Sequence, residues 1–122
     1  MALLPPVFTI LKGDPAVTAI LGNPPKAYSH GSAPQGTVPP YVTWTAVGSD
    51  PQNQLAGAAG SDRIAFQVDC YGVDGPGAEN LATAVRDALE EVCQSSGIII
   101  DEREPTTKFY RLALQFDYWL MR

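Results

Sequence analysis

The sequence predicts an α+β fold: a mostly antiparallel β-sheet of about four to five strands, one long helix packed on it, and a short N-terminal helix pair. Three observations predict it. Residues 63–71 and 108–120 alternate apolar and polar side chains with the two-residue period of a sheet buried on one face. Residues 78–94 carry apolar side chains at helical spacing and charged ones on the other side. The elements run α-α-β-β-α-β-β, in separate groups and not in the strict alternation of a doubly wound parallel sheet. A chain of 122 residues is one domain's worth, so a single domain over 1–122 is expected.

Each element has its local reason. Pro5 and Pro6 suit a first helical turn, where the missing N–H would have had no partner, and Val7, Ile10 and Leu11 then recur at helical spacing up to Gly13. Asp14-Pro15 restarts the helix as N-cap and first residue, Val17, Ile20 and Leu21 form its stripe, and Gly22-Asn23-Pro24-Pro25 ends it. Residues 26–40 are rich in Gly, Pro and Ser, with room for a short strand at Ala27-Tyr28. Residues 41–47 are β-branched and aromatic and follow Pro39-Pro40, which imposes an extended approach. Val42, Trp44 and Ala46 share one face of that strand, and Tyr41, Thr43, Thr45 and Val47 the other.

Residues 48–62 hold one large apolar side chain, Leu55, and no periodicity. They read as a long mobile loop between two strands. In the following strand Ile64, Phe66, Val68 and Cys70 face inward. A turn over 72–77 leads to the helix, whose stripe is Leu81, Val85, Ala88, Leu89 and Val92. A strand at 98–102, a turn over 103–107 and a long last strand close the chain. In that strand Tyr110, Leu112, Leu114, Phe116, Tyr118 and Leu120 face one way, and Phe109, Arg111, Ala113, Gln115, Asp117 and Trp119 the other. The helix is long enough to serve as a crossover, which leaves room for one parallel pair.

The composition excludes several kinds of chemistry. Eight Lys and Arg against 13 Asp and Glu give a net charge of -5, which disfavours specific nucleic-acid binding and attachment to an anionic membrane. No apolar run reaches the ~20 residues of a membrane-spanning helix, and the first residues lack the basic start of a secretory leader. A soluble, cytoplasmic protein is expected. Two cysteines and one histidine, His30, make neither a disulfide framework nor a zinc site. His30 lies in a Gly/Ser/Pro-rich stretch and reads as a loop residue; Cys70 reads as a small buried hydrophobe. Glu90 and Glu91 are adjacent on a helix, so their side chains diverge by ~100° and mark a solvated face. No catalytic residue, metal ligand or cofactor is expected. What stands out is surface: Tyr41, Phe109 and Trp119 on the sheet's outer face, and Asn53, Gln54 and Leu55 in the long loop, are the candidate partner contacts.

The order of these segments resembles the tail terminator, or tail completion, proteins of long-tailed bacteriophages. The resemblance runs through Asp14-Pro15-Ala16-Val17-Thr18-Ala19-Ile20-Leu21-Gly22, Ala27-Tyr28, Ala33-Pro34-Gln35-Gly36-Thr37 and Pro40-Tyr41-Val42. It continues in Phe66-Gln67-Val68-Asp69-Cys70-Tyr71 and the helix centred on Ala84-Val85-Arg86-Asp87-Ala88-Leu89, covering most of the chain. It implies a non-enzymatic virion protein of the head–tail junction, assembled in the host cytoplasm. Such a protein forms a ring of its own copies, typically six, on the tail tube protein, stops tube growth and receives the head-completion or connector protein, while DNA passes through. Two alternatives remain. One is a head-completion or stopper role in the neck. The other, of a different class, is a small ligand-binding or enzymatic domain using the groove between helix and sheet.

Overall fold

A computed structural model describes residues 4–29, 33–54 and 57–121, with side-chain surroundings undescribed at 50–54, 57–60 and 121. Helices α1 (Val7–Lys12) and α2 (Pro15–Leu21) precede strands β1 (Ala27–Ser29), β2 (Tyr41–Gln54) and β3 (Gly57–Gly72). Helix α3 (Gly75–Leu89) and strands β4 (Gln94–Arg103) and β5 (Tyr110–Met121) complete the fold. The five strands form one sheet in the order β1-β2-β3-β5-β4. The β2/β3, β3/β5 and β4/β5 pairs are antiparallel and β1/β2 is parallel. The expected α+β architecture with five strands and one long helix is what the structure shows.

All three helices lie over one face because their apolar stripes and the inward set of the strands need each other. Val7 and Leu11 of α1, Val17 and Leu21 of α2, and Leu81, Val85 and Leu89 of α3 are buried in one cluster. They share it with Val42, Phe66, Val68, Cys70, Leu112, Leu114 and Phe116, the inward residues of β2, β3 and β5. Phe66 and Phe116 face each other across the β3/β5 ladder, their rings stacked at 5.5 Å. Burial of such a side chain stabilises by ~1.5–3 kcal/mol, so this alternation fixes the register of the central strands.

The Asp14 cap forms as the sequence indicates, and the structure adds one at Asp74. Asp14 accepts from the backbone N–H groups of Ala16 (2.9 Å) and Val17 (3.2 Å), and Pro15 opens α2. Asp74 caps α3 by accepting from Gly77 N–H at 2.6 Å. Gly72 ends β3 where the start of α3 comes closest: a Cβ there would lie 2.5 Å from Ala78 N. The requirement is space, not a left-handed backbone.

Four expectations are corrected. Residues 48–54 and 57–62, expected within a long mobile loop over 48–62, are strand. β2 and β3 continue through them as a hairpin, with register pairs from Gly48↔Ala65 to Gln54↔Gly57. Gly, Ser, Asp and Gln have low strand propensity, but a ladder already registered by Val42, Trp44, Phe66 and Val68 extends past its core, and β5 supports β3 as far as Ser61↔Met121. Pro51 is tolerated because β2 is an edge strand over this stretch. Second, α3 starts three residues earlier and ends at Leu89. The carbonyl of Leu89 accepts from Val92 and Cys93 N–H in a closing turn, which buries Cys93 and leaves Val92 exposed. Third, β4 begins at Gln94, four residues before the isoleucine run, because Gln94 already pairs with Asp117. Fourth, the parallel pair does not use the helix. β5 inserts between β3 and β4, and the parallel neighbours are β1 and β2. Among the described residues no helix is long and apolar enough to cross a membrane.

Candidate interaction surface

Because the helices occupy one face, the other face of the sheet presents the outward residues of β2, β3 and β5 as a continuous surface. Register places Tyr41 beside Tyr71, and their rings stack at 4.6 Å with 14° between planes. Next to them Thr43, Asp69 and Ala113 share a level, with Gln67 and Arg111 on either side. Asp69 is the hub. Its carboxylate accepts from Arg111 Nε (3.2 Å) and Nη2 (3.1 Å), from Gln67 Nε2 (2.8 Å) and from Thr43 Oγ1 (3.5 Å). Arg111 also donates to Glu102 Oε1 of β4 at 3.2 Å. Further along the face Arg63 donates to Asp117 at 2.8 Å, and Ser96 Oγ reaches the same carboxylate at 3.4 Å. Each of these arginines therefore meets a carboxylate on its own chain, and the face offers no cluster of unpaired positive charge to a phosphate backbone.

Residues 33–38 lie over one end of this face and make a recess of about 500 Å³. Its walls are Ala33–Val38 on one side and Tyr41, Tyr71, Asp69 and Phe109 on the other. Lys26 Nζ holds the overlying segment by donating to the Val38 carbonyl at 2.8 Å. Burial pushes the Tyr71 hydroxyl up to about 12, with the Asp69 charge adding to it, and raises Tyr41 in the same direction with help from Glu104. Burial is opposed at Arg111 by Asp69, which with Tyr71 and Glu102 holds its guanidinium above the usual value. The face is thus aromatic at one end, hydrogen-bonded in the middle and charged in matched pairs.

Of the residues expected to meet partners, Tyr41 and Phe109 come together in this recess. Trp119 lies apart from them, beside Arg63 in the β3/β5 ladder and 41% exposed. Asn53 and Gln54 fall at the end of β2, and Leu55 lies outside the described residues, as does His30. Sequence reading missed the Tyr71 partner of Tyr41 and the Asp69–Arg111 hub. Both join residues at least 30 positions apart and become visible only once strand register is known. It also did not single out β4, whose Ile98 and Ile99 stand 64% and 45% exposed.

Burial, reinforced by Asp69, drives the Cys70 thiol well above the usual range, and burial pushes Cys93 up to about 11, so both stay protonated at neutral pH. Among the described residues no three His, Cys, Asp or Glu side chains are grouped to hold a metal ion. The described residues build a helix-free sheet face, a two-stranded ribbon and two open sheet edges.

The comparison with known families gives the class, that of the structural proteins of phage tails. Residues 5–121 match the family model described as Tail completion protein gp17, and the chain belongs to that family. It is a structural component of a phage tail, and its place is the virion. A solved chain from the virion of a native gene transfer agent particle has the same fold, with a TM-score of 0.66 and 19% identity, over 95% of this chain and 92% of that one. No curated protein matches.

Proposed function

We propose that this protein forms a ring, of six copies, on the last ring of the tail tube, where it stops polymerisation and offers the surface on which the head's connector docks. The observation that carries the reading is the family match across almost the whole chain, residues 5–121. The geometry supports it. A ring repeats one heterologous contact, so each subunit needs two different surfaces, and the sheet has two unlike sides. The β2/β3 hairpin runs past the end of β5, so its last residues, Asn53 and Gln54 among them, belong to a two-stranded ribbon. Such a ribbon is marginal alone and gains stability from a partner. We assign its end at Asn53 and Gln54, and with them Leu55, which lies outside the described residues, to contact with tube or connector, and the aromatic face at Tyr41, Phe109 and Trp119 to the same assembly. Net charge of -5 and internally paired arginines suit a ring through which DNA slides without adhering. The function needs no bond-making residue.

The test is electron microscopy of tails made with and without the protein. A terminal extra ring and tubes of fixed length are expected with it, and tubes that elongate without limit are expected in its absence. Protein bound to isolated heads and absent from tubes would move it to the neck as a stopper.

A further inference from the structure

We infer that subunits of the ring join edge to edge: the outer edge of β4 in one copy pairs antiparallel with the part of β2 that β1 leaves open in the next. This rests on the ring reading above and adds the contact that closes it.

Two open edges carry the inference. β1 covers β2 only at Val42, Thr43 and Trp44. From Thr45 to Gln54, β2 has eight register pairs, all with β3, and no strand on its far side among the described residues. At the opposite side of the sheet β4 is outermost, with eight register pairs, all with β5. The open edges thus have equal ladder length and lie on opposite sides, as a head-to-tail ring requires.

Direction and register both agree. β2, β3, β5 and β4 are successively antiparallel, so β2 and β4 run in opposite directions. A copy rotated about an axis along the strands therefore brings β4 antiparallel to β2, the stronger ladder. In one subunit β4 spans the levels from Arg103, beside Tyr110, to Gln94, beside Asp117, which itself lies level with Gly48 through Ala65. To stand above β1, the neighbour's β4 must be raised by about four to six ladder steps: at four its last residue, Arg103, still falls level with Trp44, where β1 ends, and six clears β1 entirely. The number must be even, since an odd one would turn its helix-side residues onto the free face. Four to six steps rise ~13–20 Å, and the four strand spacings from β2 through to the next β2 span ~19 Å. Strands so related lean ~35–45° from the ring axis, which is the tilt of a closed β-barrel. A rise that clears β1 is therefore compatible with a closed ring. Neither offset sets like charges opposite one another: Asp101 and Glu102 face Ala46 and Thr45 at four steps, and Ser49 and Gly48 at six.

Both edges are blunted. Register shifts interrupt β2 at Ala46/Gly48 and β4 at Ser95/Gly97 and Ile98/Ile100, and Pro51 lies in the open stretch. Such features suppress chance pairing between free chains, which suits subunits that pair only when a tube end holds them in place.

Cysteine pairs test the contact and its offset. Ser49→Cys with Ile98→Cys reports four steps, and Ser49→Cys with Asp101→Cys reports six; all three positions are exposed. Within a subunit β3 and β5 separate them by ~14 Å, beyond the ~7 Å Cα separation that a disulfide spans, and the native Cys70 and Cys93 are buried. Tails carrying each double variant are oxidised mildly, run on non-reducing gels and imaged in parallel. One of the two pairs is expected to give a ladder of covalent multimers, with every single-cysteine variant remaining monomeric. Terminal rings in the images with no ladder from either pair would overturn the edge contact and leave the ring standing. Tubes with no terminal ring would overturn both.

Discussion

Replacing Gly72 by Ala tests how the sheet hands the chain to its long helix. The added Cβ would fall 2.5 Å from the backbone nitrogen of Ala78 and 2.8 Å from its Cα. Ordinary carbon contact needs ~3.5 Å, so the first turn of α3 must retreat by ~1 Å. That turn is not free to move. Ala78 is 1% exposed within the core cluster, and its N–H bonds to the Asp74 carbonyl at 3.1 Å. Overpacking of this kind costs ~1–3 kcal/mol, and the less flexible unfolded chain returns ~0.4–1 kcal/mol. A net loss of ~1–2 kcal/mol follows; with a urea dependence of ~2 kcal/mol per molar the midpoint falls by ~0.5–1 M. Gly48→Ala is the control, since nothing lies within 4 Å of its added Cβ. Urea denaturation followed by circular dichroism reads both. Equal midpoints for the two variants would refute the claim that Gly72 is required by close approach.

Other expectations follow from the same geometry. Asp74→Ala removes the acceptor at the start of α3 and is expected to cost ~1 kcal/mol by the same urea assay. Trp119→Ala, at a 41% exposed position, is expected to leave the thermal midpoint nearly unchanged and to reduce the yield of joined particles; full joining would remove Trp119 from the interface. Alkaline pH weakens the fold through Tyr71. Its hydroxyl is raised from 10.0 to about 12 by burial and then by Asp69, so the folded state holds a proton that the unfolded state has lost. That contribution is whole below pH ~10 and disappears as pH rises through ~12. Partial exposure and solvent screening keep it small. Tyr71→Phe is expected to flatten this part of the pH–stability curve, and an unaltered curve would assign it to other groups.

How much of this was legible in the sequence depended on the range of the signal. Alternation at Ile64, Phe66, Val68 and Cys70 and helical spacing at Leu81, Val85 and Leu89 are local, and they placed the core correctly. Asp14-Pro15 is local too, whereas the turn expected over 72–77 is shorter, because α3 already begins at Gly75. The strand pairing of 48–54 with 57–65 was not legible, because it is inherited from a ladder registered elsewhere and its own residues carry no strand preference. The end of α3 at Leu89 was hidden for a related reason: Val92 keeps the helical spacing, but the pairing of Gln94 with Asp117 claims the chain first. Of the interaction face, sequence parity brought out Tyr41, Phe109 and Trp119 singly. The Tyr41–Tyr71 stack and the Asp69 hub needed the register of three strands.

The most direct test of the central claim is to image, by electron microscopy, tail tubes from the encoding phage after incubation with the purified protein. The account predicts one discrete additional ring at a single end of each tube, six-fold when averaged, with no further elongation when tube protein is added. Tubes that stay bare and continue to grow in the presence of the protein would contradict it.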